Sequence, residues 1–282
     1  MKLSSECIRC VVTSALELME KQLPPEAHEI TVGKILAVAG KQNWHISPPE
    51  FAGKLYNCLK EAGGKSDSFA EAKKRSTAMA LQLLPEMRSI IAGEADEFAG
   101  IVKAVIGGNI IDCGADRSID IESAIPQLKE VFKMPLDENI VLAFKKCFYQ
   151  AESIFYVLDN CGEAVFDRLL LEKFPGRVTL GVRGDFILND ITRHELADSG
   201  LGEYDFVDTG DGTPGVSLRN ARREFIERMR AADLVIAKGQ GNYETLDGYD
   251  RPIAHLLRVK CPAVARSLAM PRGALALQMR NI

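Results

Sequence analysis

The stretch that decides the fold of this chain is Ile154-Phe155-Tyr156-Val157-Leu158-Asp159-Asn160-Cys161-Gly162-Glu163. Its first residues are apolar without the alternation of a half-buried strand, which is typical of a parallel strand buried on both faces. An Asp-Asn pair ends the run, a glycine follows, and an amphipathic helical pattern begins. Ligands of open parallel sheets bind beyond the carboxyl ends of the strands. Asp159 and Asn160 are therefore predicted to lie where such a fold binds its ligand.

A second polar block repeats this arrangement further along the chain. The block Asn189-Asp190-Ile191-Thr192 follows a short apolar segment and precedes a helix start. Together Asp159, Asn160 and Asp190 offer two carboxylates and a carboxamide, which suit Mg²⁺ or Mn²⁺ with water at the remaining positions. Each aspartate taken alone could instead cap the helix that follows it. The occurrence of two such blocks favours a metal site.

The composition is that of an ordinary globular protein. The chain has 282 residues, 46% of them hydrophobic and 26% charged, and this length predicts about two domains. The net charge of −4 disfavours nucleic acid as a partner. No apolar run approaches the ~18 residues of a membrane span, and the charged N-terminal segment lacks a signal-peptide core, so we expect a cytoplasmic protein. The seven cysteines lack framework spacing and are expected to be reduced.

The hydrophobic periodicity divides the chain into three parts. We expect an N-terminal helical domain over residues 1–95, a helical linker or cap over residues 96–138, and a metal-binding α/β domain over residues 139–282. The first helix is predicted from an apolar face that includes Ile8 and Met19, and Pro24-Pro25 ends it. Further helices of the first half are predicted over 32–39, 49–62, 69–92, 94–106 and 119–132.

Strands and helices alternate in the second half. Strands are predicted over 154–158, 178–182, 204–207, 234–237 and 255–259. Helices are predicted over 163–174, 218–229 and 261–268, with a short helix after Asp190 that Gly200 closes. This alternation predicts an α/β fold with a mostly parallel sheet and helices on both faces.

Two lysines follow strands at the same predicted edge of the sheet. Lys238 follows the strand 234–237 and precedes Gly239, and Lys260 follows the strand 255–259. A lysine at such a position offers a point charge to phosphate, and neighbouring glycines let backbone N–H groups approach an anion. The alternative for each lysine is a solvated side chain in a loop.

Several known motifs do not match this chain. Glu244 stands where a dinucleotide fingerprint would need its third glycine, and the single tripeptide Asp208-Thr209-Gly210 lacks the second aspartate of an aspartic protease. Cys161 stands where a haloacid-dehalogenase phosphatase would need its second aspartate. The pair Cys7 and Cys10 lacks the further ligands of a zinc site, so we interpret it as structural rather than as redox-active or metal-binding.

Six blocks of sequence occur together in the order found in one family. They are Cys7-Ile8-Arg9-Cys10; Gly108-Asn109-Ile110-Ile111-Asp112; Asp159-Asn160-Cys161-Gly162-Glu163-Ala164-Val165-Phe166-Asp167; Arg183-Gly184 with Asn189-Asp190-Ile191-Thr192; Lys238-Gly239-Gln240-Gly241-Asn242-Tyr243-Glu244; and Lys260-Cys261. With these blocks the chain resembles the DUF89 family of damage-control phosphatases, especially its stand-alone microbial and archaeal members with an N-terminal CxxC motif. The blocks run from residue 7 to residue 261, so the resemblance covers nearly the whole chain.

The resemblance implies a Rossmann-like α/β domain with an N-terminal all-helical region. It also implies a divalent cation (Mg²⁺, Mn²⁺, Co²⁺ or Ni²⁺) held by Asp159, Asn160 and Asp190. By the same resemblance Lys260 binds the substrate phosphate and is catalytic together with Asp159 and Asp190. The other residues of the substrate pocket that the resemblance implies are Asn109, Asp112, Lys238 and Glu244.

We therefore expect a metal-dependent phosphatase that hydrolyses phosphate monoesters of small metabolites, such as sugar phosphates or damaged phosphometabolites. Either Asp159 or Asp190 would orient the attacking water, and direct attack by a carboxylate is the alternative. The expected partner is a small phosphorylated metabolite rather than nucleic acid or a membrane. The sequence carries no signal for an oligomeric state.

Two other functions remain open from the sequence. One is a carboxyl methyltransferase that uses S-adenosylmethionine, although such enzymes usually place a glycine-rich loop where this chain has Asp159 and Asn160. The other is a non-catalytic binding module that depends on a metal or on the thiols of Cys7 and Cys10.

Overall fold

The computed structural model describes residues 1–63, 67–108 and 121–282, without the side chain of residue 121. The sequence also predicts a turn over residues 63–66, of which 64–66 lie outside the described residues, as do the predicted pocket residues Asn109 and Asp112. The helices of the described part are α1 (Ser5–Gln22), α2 (His28–Gly40), α3 (Pro48–Gly63), α4 (Ala70–Ala92), α5 (Glu97–Gly107), α6 (Ile121–Lys133), α7 (Glu138–Gln150), α8 (Cys161–Leu171), α9 (Arg223–Ala231), α10 (Gly239–Leu246) and α11 (Pro262–Leu268). The strands are β1 (Ser153–Val157), β2 (Arg177–Val182), β3 (Asp205–Asp208), β4 (Leu234–Lys238), β5 (Ile253–Arg258) and β6 (Leu275–Arg280).

These strands form one sheet in the order β3-β2-β1-β4-β5-β6. Strands β1 to β5 pair in parallel, and β6 runs antiparallel to β5. The predicted mostly parallel α/β fold is thus confirmed. Strand β1 pairs with β2 on one side and with β4 on the other, so the strand order reverses between β1 and β4. Such a reversal opens a crevice beyond the carboxyl ends of the strands, which is the usual ligand site of these sheets.

Strand β1 shows why the deciding stretch is continuously apolar. Successive side chains of a strand point to opposite faces. Ile154 and Tyr156 belong to the apolar cluster packed against α4 to α8, whereas Phe155 and Val157 belong to the cluster that includes Phe225 of α9. Both faces of the central strand are covered, so neither set of side chains meets water.

The N-terminal helices stand over this crevice. Helices α1, α2 and α3 pack together around their own apolar cluster, which Ile187 of the β2–β3 connection joins. Helix α3 also packs against α10, which follows β4. Helix α4 packs against α8 on one face of the sheet. The division into units at residues 95 and 138 stays a prediction. None of the described helices combines the length and the apolarity of a membrane span.

The element prediction was wrong at four places. Helix α7 was not predicted, although Asp137 caps it by accepting from the N–H groups of Asn139 and Ile140. Strand β6 was not predicted either, because a short run that returns antiparallel breaks the strand–helix alternation. The predicted helix after Asp190 is only a single 3-10 turn at Arg193–Glu195. The predicted helix 218–229 begins later, at Arg223.

A buried histidine on β5 makes the stability of this fold sensitive to acid. Burial lowers the pKa of His255 to about 3, and neither ring nitrogen has a hydrogen-bond partner in the part of the chain that the structure describes. The unfolded chain binds a proton at this residue near its ordinary pKa of ~6.5, whereas the folded chain does so only near 3. Unfolding is therefore favoured progressively as the pH falls through this window.

We expect His255→Leu to reduce this acid sensitivity. Urea unfolding at pH 7 and at pH 5 should show that the variant loses roughly 2 kcal/mol less than the wild type between the two conditions. Equal losses in both proteins would show that His255 does not stay neutral in the folded state.

Candidate functional site

Two polar loops meet at the carboxyl ends of β1 and β2. The carbonyl of Asp159 accepts a hydrogen bond of 2.8 Å from the N–H of Ile191. Beside it, Asn160 and Asp190 form an isolated antiparallel bridge. The backbone thus brings the three predicted metal ligands together from segments that are far apart in the sequence.

A buried arginine contacts both carboxylates of this site. Arg183 directly follows β2 and its side chain is 1% exposed. Its Nε lies 2.7 Å from Asp190 Oδ2, and its Nη2 lies 3.5 Å from Asp159 Oδ1. Nη2 also donates to Asn242 Oδ1 at 3.1 Å. The two carboxyl groups therefore lie side by side at one guanidinium group, as convergence on one ion requires.

The side chain of Asn160 is oriented by two carboxylates. Its Nδ2 donates to Asp159 Oδ2 at 3.0 Å and to Glu163 Oε2 at 3.3 Å. Because the amide nitrogen serves both acceptors, Oδ1 is the atom of this side chain that remains for a cation.

Beneath Asn160 lies a buried ionic cluster, which we call the lysine cluster: Lys238, Glu163, Asp167 and Tyr156. Lys238 Nζ contacts Glu163 Oε1 at 2.5 Å and Asp167 Oδ1 at 2.6 Å. Tyr156 donates from its hydroxyl to the same Asp167 oxygen at 2.9 Å. Lys238 and Asp167 are fully buried. The cluster connects through Glu163 to Asn160 and so supports the site from the interior.

The buried acids raise one another's pKa. Burial raises the pKa of Asp159 well above its usual range, and the charges of Asp190 and Glu163 raise it further, whereas Arg183 and Lys260 lower it. Burial also raises the pKa of Asp167, to about 6, against the opposing effect of Lys238. Burial is the largest cause of both shifts, and the neighbouring negative charges add to it.

The charge balance of the site fits a divalent cation. Four carboxylates contact two cationic side chains here, so the fully ionised set carries two negative charges more than it neutralises. The carboxylates are Asp159, Glu163, Asp167 and Asp190, and the cations are Arg183 and Lys238. One divalent ion would neutralise the set, and the oxygen donors of Asp159, Asn160 and Asp190 are of the hard type that Mg²⁺ and Mn²⁺ prefer. In the described part of the chain, no three His, Cys, Asp or Glu side chains form a metal site by themselves, so the carboxamide of Asn160 would have to complete this one.

These oxygens open into a cavity of about 720 Å³. The cavity lies between the carboxyl edge of the sheet and the helices α1 and α3. Its wall includes Asp159, Asn160 and Asp190, the predicted phosphate ligand Lys260, and Glu244. Burial raises the pKa of Glu244 to about 7. Asp159, Asn160, Asp190, Lys260 and Glu244 thus all face one space.

Not every predicted pocket residue lies on this wall. The structure places Lys238 in the lysine cluster instead, where its ammonium group is fully buried and contacts two carboxylates. This burial contradicts the predicted position of Lys238 in the substrate pocket, because its ammonium group cannot contact a substrate phosphate from within the lysine cluster. Cys7 and Cys10, which we interpreted as structural, line the cavity from α1.

Sequence reasoning missed the roles of Arg183 and Glu163. Both residues occur within the quoted blocks, but no role was assigned to them. The signal for Arg183 was its position directly after a strand adjacent to β1. The signal for Glu163 and Asp167 was two acids one helical turn apart on the largely apolar helix α8.

The fold and the site together define an α/β protein with an acidic, oxygen-rich centre at the switch point of a Rossmann-like sheet. Residues 3–275 match the damage-control phosphatase ARMT1-like domain, and the chain belongs to this family, which includes the DUF89 proteins that the sequence resembles. The predicted family is thereby confirmed.

Relatives of similar length agree with this assignment. The chain is 35% identical to a damage-control phosphatase of Pyrococcus horikoshii, over 100% of this chain and 99% of the relative. It is 31% identical to a damage-control phosphatase of Archaeoglobus fulgidus, over 85% of this chain and 84% of the relative. A crystal structure of a DUF89 family protein from Pyrococcus horikoshii superposes with a TM-score of 0.87 at 31% identity and covers 100% of both chains. These relatives support a phosphatase and do not favour the methyltransferase.

Proposed function

We propose that this protein is a metal-dependent phosphoric monoester hydrolase that acts on small phosphorylated metabolites, such as sugar phosphates or damaged phosphometabolites. The observation that carries this proposal is the acidic set of side chains, two negative charges in excess, of which Asp159 and Asp190 face a cavity that Lys260 also lines. The phosphatase names of the relatives support the same reaction type.

The residues that would hold the cation are Asp159, Asn160 and Asp190. A bound Mg²⁺, Mn²⁺, Co²⁺ or Ni²⁺ supplies Lewis acidity toward the phosphoryl group and lowers the pKa of a coordinated water. Arg183 fixes the carboxylate of Asp190 through its 2.7 Å contact. Glu163 fixes Asn160, and Lys238 fixes Glu163, so the two functional loops rest on buried ion pairs. Such outer partners orient metal ligands and commonly alter metal affinity when they are removed.

Lys260 is the wall residue that we assign to the substrate phosphate. It follows β5 at the same edge of the sheet and lines the same cavity as Asp159, whose pKa its charge lowers, and both observations support this assignment. Its ammonium group would neutralise phosphoryl oxygens as charge shifts during transfer. Asp159 or Asp190 would orient the attacking water. Asn109 and Asp112 remain predicted pocket residues.

A screen of small phosphate monoesters with each divalent cation and with chelator tests this function. We expect hydrolysis that depends on the added cation and disappears with chelator. Undiminished turnover after exhaustive chelation, or no turnover of any ester with any cation, would overturn the proposal.

Gly239 gives a second test of the metal centre. Its φ is +77°, a conformation that side-chain-bearing residues rarely adopt, and an added Cβ would collide with the carboxylate of Asp159. We expect Gly239→Ala to lower metal-dependent activity by about a hundredfold or more, because small displacements of catalytic groups have effects of that size. Steady-state kinetics at saturating cation would measure it.

Gly248→Ala is the matched control, since an added Cβ there meets nothing within 4 Å. We expect this variant to keep the wild-type rate. Equal activity of the Gly239 and Gly248 variants would show that Asp159 need not hold its position.

A further inference from the structure

The cavity wall carries more positive charge than the metal centre explains. In the described part of the chain, three cationic side chains line it: Arg9 from α1, Lys260 after β5, and Arg272 after α11. Within residues 1–63, 67–108 and 121–282, none of these three forms an ion pair with a carboxylate; the side chain of Arg272 donates from Nε to the carbonyl of Lys260 at 3.1 Å. Their charges therefore face the space that the substrate would occupy.

Among the residues that the structure describes, the wall offers few acids to balance these cations once the metal ligands are set aside. Glu6 forms an ion pair with Arg266 and is not available. Glu244 is buried, which disfavours its charged form. With one divalent ion the buried acidic set is neutral, so the exposed wall cations are available to pair with an anionic substrate.

A simple phosphate monoester does not balance them. Its dianion would neutralise two of the three wall cations, with Lys260 the one nearest the metal ligands. One positive charge would remain, on Arg9 or on Arg272. The planar guanidinium groups of these arginines suit bidentate contact with carboxylate or phosphate. The cavity volume of about 720 Å³ is also in the range of sites for ligands much larger than a phosphate group.

We infer that the substrate is a phosphate monoester that carries a second acidic group, a carboxylate or another phosphate, which Arg9 and Arg272 bind. This inference rests on the proposed phosphatase function and narrows its substrate class. Arg9 and Arg272 are thereby specificity-determining residues, and Lys260 remains the ligand of the phosphate that is transferred.

A pair of esters that differ in one acidic group tests this inference. 6-Phosphogluconate and sorbitol 6-phosphate share the same carbon chain and the same phosphate, but only the first has a carboxylate. We expect wild-type kcat/KM to be at least about tenfold higher for 6-phosphogluconate, which is the order expected for one contact with a charged group. Equal values, or a preference for the sorbitol ester, would overturn the inference.

Substitution of the two arginines tests whether they cause the preference for 6-phosphogluconate. Arg9→Met and Arg272→Met should each reduce the ratio of the two kcat/KM values, and the double variant should bring it near one. Lys21→Met is the matched control, because Lys21 is an exposed cation on the same helix as Arg9 but away from the cavity wall. A preference that survives in the double variant would contradict the role of these arginines.

Calorimetric titration of both esters in the presence of Mg²⁺ separates this inference from the proposed function. Should neither ester be hydrolysed, tighter binding of 6-phosphogluconate that depends on Arg9 and Arg272 would support the doubly anionic ligand while the hydrolase proposal failed. Equal binding of the two esters would remove the second-anion site whether or not hydrolysis occurs.

Discussion

Asp159→Asn is expected to lower metal-dependent phosphatase activity by about a thousandfold or more, the upper range for the loss of one electrostatic contact with a transition state. The substitution preserves the shape of the side chain, but it removes one of the two carboxylates that would hold the cation. It also halves the excess negative charge that would attract the ion. Initial rates with saturating cation and ester would measure the loss.

The same variant should lose no stability when the protein is free of metal. Burial and the charges of Asp190 and Glu163 raise the pKa of Asp159, so its ionised form destabilises the fold at neutral pH. Asp159→Asn removes this repulsion, and we expect the metal-free variant to be at least as stable as the wild type. Urea unfolding with chelator would show it.

Added cation should stabilise the wild type and Asp159→Asn to different extents. At a hundredfold excess over its dissociation constant, the ion should stabilise the wild type by about 2.7 kcal/mol, whereas the variant should gain little. Asp208→Asn is the matched control, because Asp208 also ends a strand of the sheet but pairs with Arg222 instead. Full activity together with full stabilisation by cation in Asp159→Asn would exclude this metal site.

The parts of the site that could be predicted from sequence follow from burial. A strand covered on both faces must be apolar throughout, so β1 could be recognised in the sequence. The rule that ligands bind beyond the carboxyl ends of parallel strands, here called the strand-end rule, then placed Asp159 at the crevice. The same rule applied to β2 would have indicated Arg183. An isolated arginine in a sequence gives no sign that it is buried between two carboxylates, and that contact emerges only when the loops are brought together.

Lys238 shows where the strand-end rule fails. It is the last residue of β4 rather than the first residue of the loop. Alternation along the strand puts it on the same face as Ile236, which packs in the cluster that contains α8. That face presents Glu163 and Asp167, so Lys238 lies between them and not in the cavity. The composition of α8, with two acids among apolar residues, was the evidence for this pairing.

Lys238→Met is therefore expected to act on stability. Its removal would leave two carboxylates buried without their cation, and breaking a buried ion pair in this way typically costs about 3–5 kcal/mol. Urea unfolding at pH 7 would measure the loss in the free energy of unfolding. Lys146→Met, at an exposed lysine of α7, is the control and should change this free energy by no more than about 0.5 kcal/mol.

Neutralising the partners should restore much of what Lys238→Met loses. In the triple variant Lys238→Met with Glu163→Gln and Asp167→Asn, no unpaired charge remains, and we expect stability between that of the single variant and that of the wild type. A lysine that binds substrate phosphate directly would behave differently. Its loss would raise KM and leave the free energy of unfolding unchanged. That result would show that Lys238 contacts the substrate in the cavity.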